Sequence, residues 1–168
     1  KYKPAKIIRS SEYIKEVDIQ NAISMIREAK RPYILVGGGA VISDAADELK
    51  EFAEKVDAPV CDTLMGKGAF NGTDERYSGM LGMHGTKASN LGVSHCDLLI
   101  AVGTRFSDRV LGNPKTFAKN AKILQIDVDP VEINKNICVS ASIIGDVKAV
   151  LTVINRRLEA QEHKEWLD

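Results

Sequence analysis

The sequence has few aromatic residues, no surplus of charge and no long apolar run, and each absence excludes a class of function. Aromatic residues make up 5% of the chain, too few for the stacking platforms on which single-stranded nucleic acid binds. Basic and acidic residues number 23 each, so the positive surplus that attracts nucleic acid or anionic membranes is missing. No apolar run approaches the roughly 18 residues that cross a bilayer. We therefore expect neither nucleic acid nor a membrane as a partner.

Reactive motifs are also sparse. The three cysteines, Cys61, Cys96 and Cys138, are far apart and form no C-x-x-C pair, which favours reduced thiols in a cytoplasmic protein over zinc ligands or disulfides. There is no G-x-S-x-G nucleophile elbow and no G-x-x-x-x-G-K-[ST] phosphate loop. No two groups are spaced as a nucleophile and its base. The sequence therefore predicts a domain that binds a ligand without reacting with it, with no catalytic residue and no metal site.

What the sequence does contain is an alternation of short apolar runs and amphipathic helical stripes. The apolar runs predict five strands, at residues 33–36, 59–62, 97–102, 123–127 and 139–144. Helical spacing predicts the main helices between and around them, at residues 18–29, 43–56, 86–95 and 147–158. Continuous apolar strands separated by helices are typical of a parallel sheet buried on both faces. We predict a Rossmann-like, doubly wound α/β fold with a parallel sheet of five to six strands.

Helix starts and segment bounds follow from the polar residues. Asp18 is expected to cap the first helix, and Ser43 or Asp44 the second, because short polar side chains accept hydrogen bonds from unpaired N–H groups. The expected segments are an arm or linker at 1–17, a cofactor-binding domain at 18–160, and a tail or the start of a further linker at 161–168.

A glycine run follows the first strand. Gly37, Gly38 and Gly39 allow a tight turn and the close approach of a ligand to the backbone. The dinucleotide fingerprint G-x-G-x-x-G matches at Gly37 and Gly39, but Ile42 stands where the third glycine belongs. The nicotinamide fingerprint is therefore broken, and a bare strand-to-helix turn explains these glycines as well as a ligand does.

Two apolar, glycine-rich loops come next. The runs Thr63-Leu-Met-Gly-Lys-Gly and Met80-Leu-Gly-Met-His-Gly place methionines beside glycines. Such methionines either fill a core or form a flexible apolar wall for a flat ring. His84, taken alone, is more typical of a structural hydrogen-bonding residue than of a catalyst.

Charged residues follow the remaining strands. Gly103-Thr-Arg-Phe-Ser-Asp-Arg-Val holds two arginines that either bind phosphates or are neutralised by Asp108 in a solvated loop. Asp127 and Asp146 either accept hydrogen bonds from ribose or ribityl hydroxyls, or simply cap helices. Because the strand ends of a parallel sheet meet at one edge, these residues together predict a site for an extended phosphorylated ligand.

In this order and spacing, the motifs resemble the central domain of acetolactate synthase (acetohydroxyacid synthase). The resemblance covers roughly residues 18–158 and is sharpest in the Met-His-Gly and Arg-Phe-x-Asp-Arg segments. The motifs that carry it are Val36-Gly-Gly-Gly, Thr63-Leu-Met-Gly-Lys-Gly, Leu81-Gly-Met-His-Gly, Gly103-Thr-Arg-Phe-Ser-Asp-Arg-Val, Ile126-Asp-Val-Asp and Gly145-Asp-Val.

The resemblance implies that this domain holds FAD, which does no net redox work in the family's main reaction. One departure is Ser107, where many members have a second aspartate; serine still hydrogen-bonds to phosphate or ribityl oxygens. The residues expected to bind the cofactor are Gly37, Gly38, Gly39, Thr63, Leu64, Met65, Leu81, Gly82, Met83, His84, Gly103, Thr104, Arg105, Phe106, Ser107, Asp108, Arg109, Asp127, Val128, Asp146 and Val147.

The resemblance also implies a parent enzyme of three domains. Its outer two domains bind thiamine diphosphate and Mg²⁺, and it condenses two pyruvates, or pyruvate and 2-oxobutyrate, in the biosynthesis of isoleucine, valine and leucine. The chain is then an excised central domain without activity of its own. Its expected partners are the N- and C-terminal domains of the same chain, further copies in a homodimer or tetramer, and a small regulatory subunit.

Four alternatives stay open. The first is an ADP-binding or ligand-free central domain of another thiamine-diphosphate decarboxylase or carboligase. The second is a catabolic acetolactate synthase that lacks flavin, although the Met-His-Gly and arginine motifs favour the biosynthetic form. A stand-alone NAD-dependent oxidoreductase is disfavoured by the broken fingerprint at Ile42 and by the lack of an acid or base beside the glycine turn. A sirtuin-like deacylase is disfavoured because no zinc-binding cysteine quartet exists.

Overall fold

All strands of the sheet run parallel in the computed structural model, which describes residues 14–167. The six strands are β1 (Pro32–Val36), β2 (Val60–Asp62), β3 (Tyr77–Met80), β4 (Leu98–Val102), β5 (Lys122–Asp127) and β6 (Ala141–Ile144). Their order across the sheet is β3-β2-β1-β4-β5-β6. The chain therefore winds outward in two directions from the β1/β4 pair, and sheets of this kind bind ligands at that switch point. The predicted doubly wound α/β fold is confirmed.

Helices connect the strands and cover the sheet. They are α1 (Glu16–Glu28), α2 (Gly38–Ile42), α3 (Ala46–Val56), α4 (Lys87–His95), α5 (Asp108–Leu111), α6 (Val147–Arg157) and α7 (Lys164–Leu167). Short 3-10 turns lie at Leu64–Gly66 and Pro130–Glu132. Within residues 14–167, none of these helices has the length and apolarity that a membrane span requires.

The core lies on both faces of the sheet because strand side chains alternate between the faces. Ile34 and Val36 of β1 pack in one apolar cluster with buried residues of α1, α3 and α6. Tyr33 and Leu35 point the other way and join a second cluster with Val93 of α4. Each fully buried Ile or Leu contributes about 1.5–3 kcal/mol of transfer free energy. This double burial fixes the positions of the strand ends and therefore of the loops beyond them.

Two predicted caps are wrong. Helix α1 begins at Glu16 after Lys15, with no capping side chain, and Asp18 lies inside its first turn, where an acidic group still favours the helix dipole. The glycine run continues into α2, so Ser43 ends that helix and α3 starts later, at Ala46, without a side-chain cap. Asp44 adopts a left-handed backbone with φ of 55° between the two helices.

Two further differences concern short segments. Strand β3 was not among the five predicted runs because it is a half-buried edge strand, Tyr-Ser-Gly-Met, and not a continuous apolar one. Of the predicted tail at 161–168, residues 164–167 form α7, and the indole N–H of Trp166 donates to the Pro32 carbonyl at 2.8 Å.

The predicted domain bounds stay predictions. Residues 1–13 of the predicted arm and residue 168 lie outside the described residues.

Candidate functional site

A cleft of about 810 Å³ opens at the carboxyl edge of the sheet, over the β1/β4 switch point. Its volume lies in the range of pockets that hold cofactors and other small molecules. Loops after β1, β2, β3 and β4 and the last residue of β5, Asp127, all line the cleft, which is why residues far apart in the sequence meet there. The predicted site residues that line it are Gly38, Gly39, Thr63, Leu64, Met65, Leu81, Met83, His84, Gly103, Thr104, Arg105, Ser107, Asp108, Arg109 and Asp127.

The lining differs from the prediction in two ways. Three residues that were not predicted also line the cleft: Ile42, Met80 and Val110. Met80 and Val110 are the first and last residues of the motifs Met80-Leu-Gly-Met-His-Gly and Gly103-Thr-Arg-Phe-Ser-Asp-Arg-Val, and Ile42 stands where the fingerprint's third glycine belongs. Six predicted residues do not line the cleft: Gly37, Gly82, Phe106, Val128, Asp146 and Val147. The contact of any of these residues with a cofactor stays a prediction.

Gly37 lies beneath the cleft, where the ends of β1 and β4 pack backbone to backbone. Its N–H donates to the Val102 carbonyl at 2.8 Å, and a Cβ at this position would lie 2.2 Å from the Gly103 carbonyl oxygen. The N–H of Gly39 donates to the same Gly103 oxygen at 2.9 Å. Within residues 14–167, the N–H of Gly38 donates to no other group. Close packing therefore explains the glycine at 37, and the turn leaves one unpaired N–H for a ligand.

Phe106 points into the core, away from the cleft. Its side chain is fully buried against Phe117, with ring centroids 6.0 Å apart, and its backbone φ is 51°. A bulky residue rarely adopts this left-handed conformation. Phe106 therefore anchors the loop that carries Arg105 and is not itself placed to touch a ligand in the cleft.

Asp146 and Val147 start helix α6. The Asp146 carboxylate accepts hydrogen bonds from the Ala149 N–H at 3.2 Å and from the Ser43 hydroxyl at 2.9 Å. The same Ser43 oxygen accepts from the Lys148 N–H at 2.8 Å. Val147 is buried in the core. Of the two interpretations of Asp146, the structure shows the helix cap.

Gly82 and Val128 flank the cleft without lining it. Gly82 has a φ of 107°, and a Cβ there would lie 2.6 Å from the Arg109 carbonyl oxygen. This contact packs the loop after β3 against helix α5. Val128 follows β5 and is 68% exposed.

The two arginines of the cleft carry its positive charge. Neither Arg105 nor Arg109 forms an ion pair with a carboxylate in the described part of the chain. The Asp108 carboxylate accepts from the backbone N–H of Arg109 at 3.0 Å and makes no side-chain bridge. Neutralisation by Asp108 is therefore not observed. Two guanidinium groups remain available to an anion, and their planar geometry fits carboxylate or phosphate oxygens.

Asp127 supplies the buried acidic group of the cleft. It is 8% exposed and accepts a hydrogen bond from the Asp129 N–H at 3.0 Å. Burial raises the pKa of its carboxyl, and the nearby Glu132 and Asp129 add to the rise while backbone N–H groups oppose it. A buried carboxyl that retains acceptor capacity is suited to bind a hydroxyl group of a ligand.

Four exposed apolar side chains also line the cleft, and we call them its apolar wall. Ile42, Leu64, Met65 and Met83 are between 70% and 78% exposed. Methionine adapts its shape to flat partners. The cleft therefore combines a charged part with an apolar part.

The described residues contain no cluster of side chains that could hold a metal ion. His84 lines the cleft, is exposed, and makes no side-chain hydrogen bond within residues 14–167, so the structural role expected for it is not observed. Burial raises the pKa of the Cys96 thiol to about 12 and that of Cys61 well above its usual value, which leaves both protonated. The lining residues are of the kinds that suit an anionic, partly apolar molecule.

Comparison with known proteins gives the family. Residues 19–154 match the family described as "Thiamine pyrophosphate enzyme, central domain". The chain is 50% identical over 155 residues to a probable acetolactate synthase large subunit of Methanocaldococcus jannaschii, covering 90% of this chain and 26% of that protein. It is 51% identical over 133 residues to the acetolactate synthase large subunit of Cyanidium caldarium, covering 79% and 23%. The corresponding protein of Corynebacterium glutamicum is 44% identical over 155 residues, covering 89% and 25%.

The chain thus spans about a quarter of the length of the curated relatives that it matches. The match at 19–154 takes in all six strands and every residue that lines the cleft. On this ground the chain belongs to the thiamine pyrophosphate enzyme family, as its central domain.

Proposed function

We propose that this chain is the central domain of an acetolactate synthase catalytic subunit and that its cleft binds FAD. The observation that carries the proposal is the cleft itself, which joins an exposed apolar wall to two guanidinium groups that pair with no carboxylate of residues 14–167. Relatives named acetolactate synthase large subunit, at 44% to 51% identity, support the assignment.

The residues of the cleft fit the parts of FAD. Arg105 and Arg109 would hold the diphosphate, because guanidinium binds phosphate oxygens in pairs. Asp127 would accept hydrogen bonds from ribose or ribityl hydroxyls, and the unpaired N–H of Gly38 would donate to a ligand oxygen. Met65 and Met83 would cover the flat ring. In the proposed reaction the bound flavin supplies no net oxidation or reduction, so this chain's task is to hold it.

The chemistry of the parent enzyme would lie outside this chain. Thiamine diphosphate and Mg²⁺ would be bound by the N- and C-terminal domains of the same polypeptide, and two pyruvates, or pyruvate and 2-oxobutyrate, would be joined there for branched-chain amino-acid biosynthesis. We further propose a homodimer or tetramer with a small regulatory subunit, acting in the cytoplasm. Because the thiamine diphosphate would be bound by the other domains, the chain alone should form no acetolactate from pyruvate.

ADP is the second candidate ligand. The arginines and Asp127 suit the ADP half of FAD as well as the whole molecule, since that half contains the diphosphate and a ribose. The apolar wall of Ile42, Leu64, Met65 and Met83 favours FAD, because ADP has no second flat ring to cover it. The two ligands are therefore separated by whether binding involves this wall.

The test is a visible absorption spectrum of the purified chain after FAD has been added and unbound FAD removed. Retained, shifted flavin absorbance is expected, and Arg105→Ala should lose it. Arg156→Ala is the matched control, because Arg156 is an exposed arginine on α6, away from the cleft. A colourless protein that is stabilised by ADP supports the second candidate. A protein that binds neither ligand contradicts both.

A further inference from the structure

The loop that presents Arg105 is held by two side-chain amides from other parts of the chain. Gln125 Nε2 donates to the Thr104 carbonyl oxygen at 3.1 Å. Asn136 Nδ2 donates to the Arg105 carbonyl oxygen at 3.2 Å. These carbonyls belong to the two peptide units on either side of the Arg105 Cα. Because a peptide unit is planar, a hydrogen bond to its carbonyl oxygen restrains the orientation of the whole unit. With the units on both sides restrained, the direction in which the Arg105 side chain leaves the backbone is restrained as well.

Gln125 is an unexpected residue for its position. It lies in the middle of β5 between Leu124 and Ile126, is fully buried, and faces the side of the sheet where other strand residues are apolar. Its Oε1 atom has no hydrogen-bond partner among the described residues. A buried, unpaired amide oxygen destabilises the fold. The bond to Thr104 is the side chain's one hydrogen bond in residues 14–167, so holding that carbonyl is the role the structure gives it.

The other end of the loop is held by packing. Phe106, the residue after Arg105, is buried against Phe117 and has a φ of 51°. Backbone in this region persists only where its surroundings enforce it. Arg105 therefore lies between a residue whose carbonyl Gln125 holds and a residue whose ring is fixed in the core.

We infer that Gln125 and Asn136 are positioning residues that set Arg105 for the anionic part of the ligand. The inference rests on the proposed cofactor binding, and it extends the site to two residues that do not line the cleft. Their effect is preorganisation: an arginine that already points at the phosphate loses less conformational freedom when the ligand binds. Asn136 also links the segment between Pro130–Glu132 and β6 to the cleft.

The experiment compares two flavins on the complete chain. FAD carries the diphosphate and riboflavin lacks it, so changing a residue that acts through Arg105 should weaken the binding of FAD and leave the binding of riboflavin unchanged. Asn136 is exposed, and Asn136→Ala is therefore expected to fold normally and to raise the Kd for FAD roughly five- to tenfold, as measured by flavin fluorescence. The Kd for riboflavin should not change. Asn120→Ala, which removes another exposed asparagine amide, should change neither value.

A double-mutant cycle separates positioning from a general structural role. In an Arg105→Ala background, adding Asn136→Ala should weaken FAD binding no further, because the group that it positions is gone. Gln125→Met, which keeps the side chain's length, should likewise weaken FAD binding no further in the Arg105→Ala background. Should Gln125→Met fail to fold, Asn136→Ala decides alone. Equal weakening of both flavins, or additive effects with Arg105→Ala, contradicts the inference.

The result also stays distinct from a failure of the proposed function. If the unaltered chain binds no FAD, both the function and the inference are contradicted. If the unaltered chain binds FAD and Asn136→Ala binds it equally well, the inference alone is wrong.

Discussion

At the scale of single residues, Asp127 joins the stability of the domain to its binding role. Its carboxyl is buried at the end of β5, and burial raises its pKa above the unfolded value of about 3.9. The folded state therefore disfavours the ionised form. This penalty is absent below the unfolded pKa, grows as pH rises, and is complete above the folded pKa. At neutral pH the carboxylate is destabilising unless a ligand uses it.

We predict that Asp127→Asn unfolds at higher urea concentration than the unaltered chain at pH 7, without ligand. The amide oxygen still accepts from the Asp129 N–H, so the local hydrogen bond remains. Because the penalty vanishes on protonation, the difference between the two proteins should shrink as pH falls toward 4. The same variant should bind FAD more weakly, since a neutral acceptor replaces a charged one. A variant that is less stable at pH 7 contradicts the prediction.

Gly37 gives a second prediction at this scale, because a glycine at this position is explained either by close packing or by the approach of a ligand, and the two explanations predict different results. A Cβ at this position would lie 2.2 Å from the Gly103 oxygen and 2.7 Å from the Thr104 Cα. Both are backbone atoms that β4 holds in place. We predict that Gly37→Ala lowers the free energy of unfolding by about 1–3 kcal/mol without any ligand, as overpacking does. Urea denaturation measures this.

Gly72→Ala is the control for Gly37→Ala. A Cβ at position 72 would meet the Tyr77 ring at an ordinary 3.7 Å, and the backbone there needs no left-handed angle. Its effect should stay within about 0.5 kcal/mol. If Gly37→Ala keeps full stability and loses only cofactor binding, the glycine serves the ligand and the packing explanation is wrong.

At the scale of elements, the sequence predicts what depends on local pattern and misses what depends on tertiary contact. The apolar runs that became β1 and β4 are buried along their whole length, and helix α4 (Lys87–His95) matches the helix predicted at 86–95. The capping rule failed at Ser43 because its hydroxyl bonds to Asp146, a residue that the fold brings close from 103 positions away. Strand β3 was missed because pairing with β2, and not apolarity, makes it a strand.

The candidate site shows the same division. Motif order placed most cleft residues correctly at one edge, because the carboxyl ends of parallel strands meet there. The sequence does not reveal that Phe106 turns into the core, since a left-handed angle at a phenylalanine has no sequence signal. Nor does it single out Gln125 and Asn136, whose bonds to the Arg105 loop span 21 and 31 positions.

Helix α6 supplies the prediction at the element scale. Asp146 caps its first turn and accepts the Ser43 hydroxyl, so it joins α6 to the segment between α2 and α3. We predict that Asp146→Ala lowers the free energy of unfolding by about 1–2 kcal/mol, the cost of a lost N-cap. Asp146→Asn, which can still accept both bonds, should lose less. Thermal unfolding of the unaltered chain, Asp146→Asn and Asp146→Ala measures the order of their stabilities.

Cofactor affinity shows whether Asp146 has a second role. Asp146 does not line the cleft, so folded Asp146→Ala should bind FAD with the affinity of the unaltered chain. A large loss of affinity at a temperature where the variant is fully folded would show that the residue also contacts the ligand, as the sequence predicts.

At the scale of the whole molecule, the cleft remains open on a domain that is a quarter of its relatives' length. Its apolar wall exposes Ile42, Leu64, Met65 and Met83, while the core beneath is fully packed from both sides of the sheet. The sheet supplies most of the fold, and the loops above it, together with Asp127 at the end of β5, supply the site. A ligand that binds only the folded chain must then raise its apparent stability.

We predict that FAD at about 100 times its Kd stabilises the chain by about 2.7 kcal/mol. For a domain of this size that corresponds to a rise in Tm of roughly 5–10 °C, measured by differential scanning calorimetry. ADP should give a smaller rise at the same concentration, because it leaves the apolar wall uncovered. Riboflavin should also give a smaller rise, since it lacks the diphosphate that Arg105 and Arg109 would bind. An equal rise with ADP and FAD would show that the apolar wall takes no part in binding, and would move the assignment from FAD to ADP.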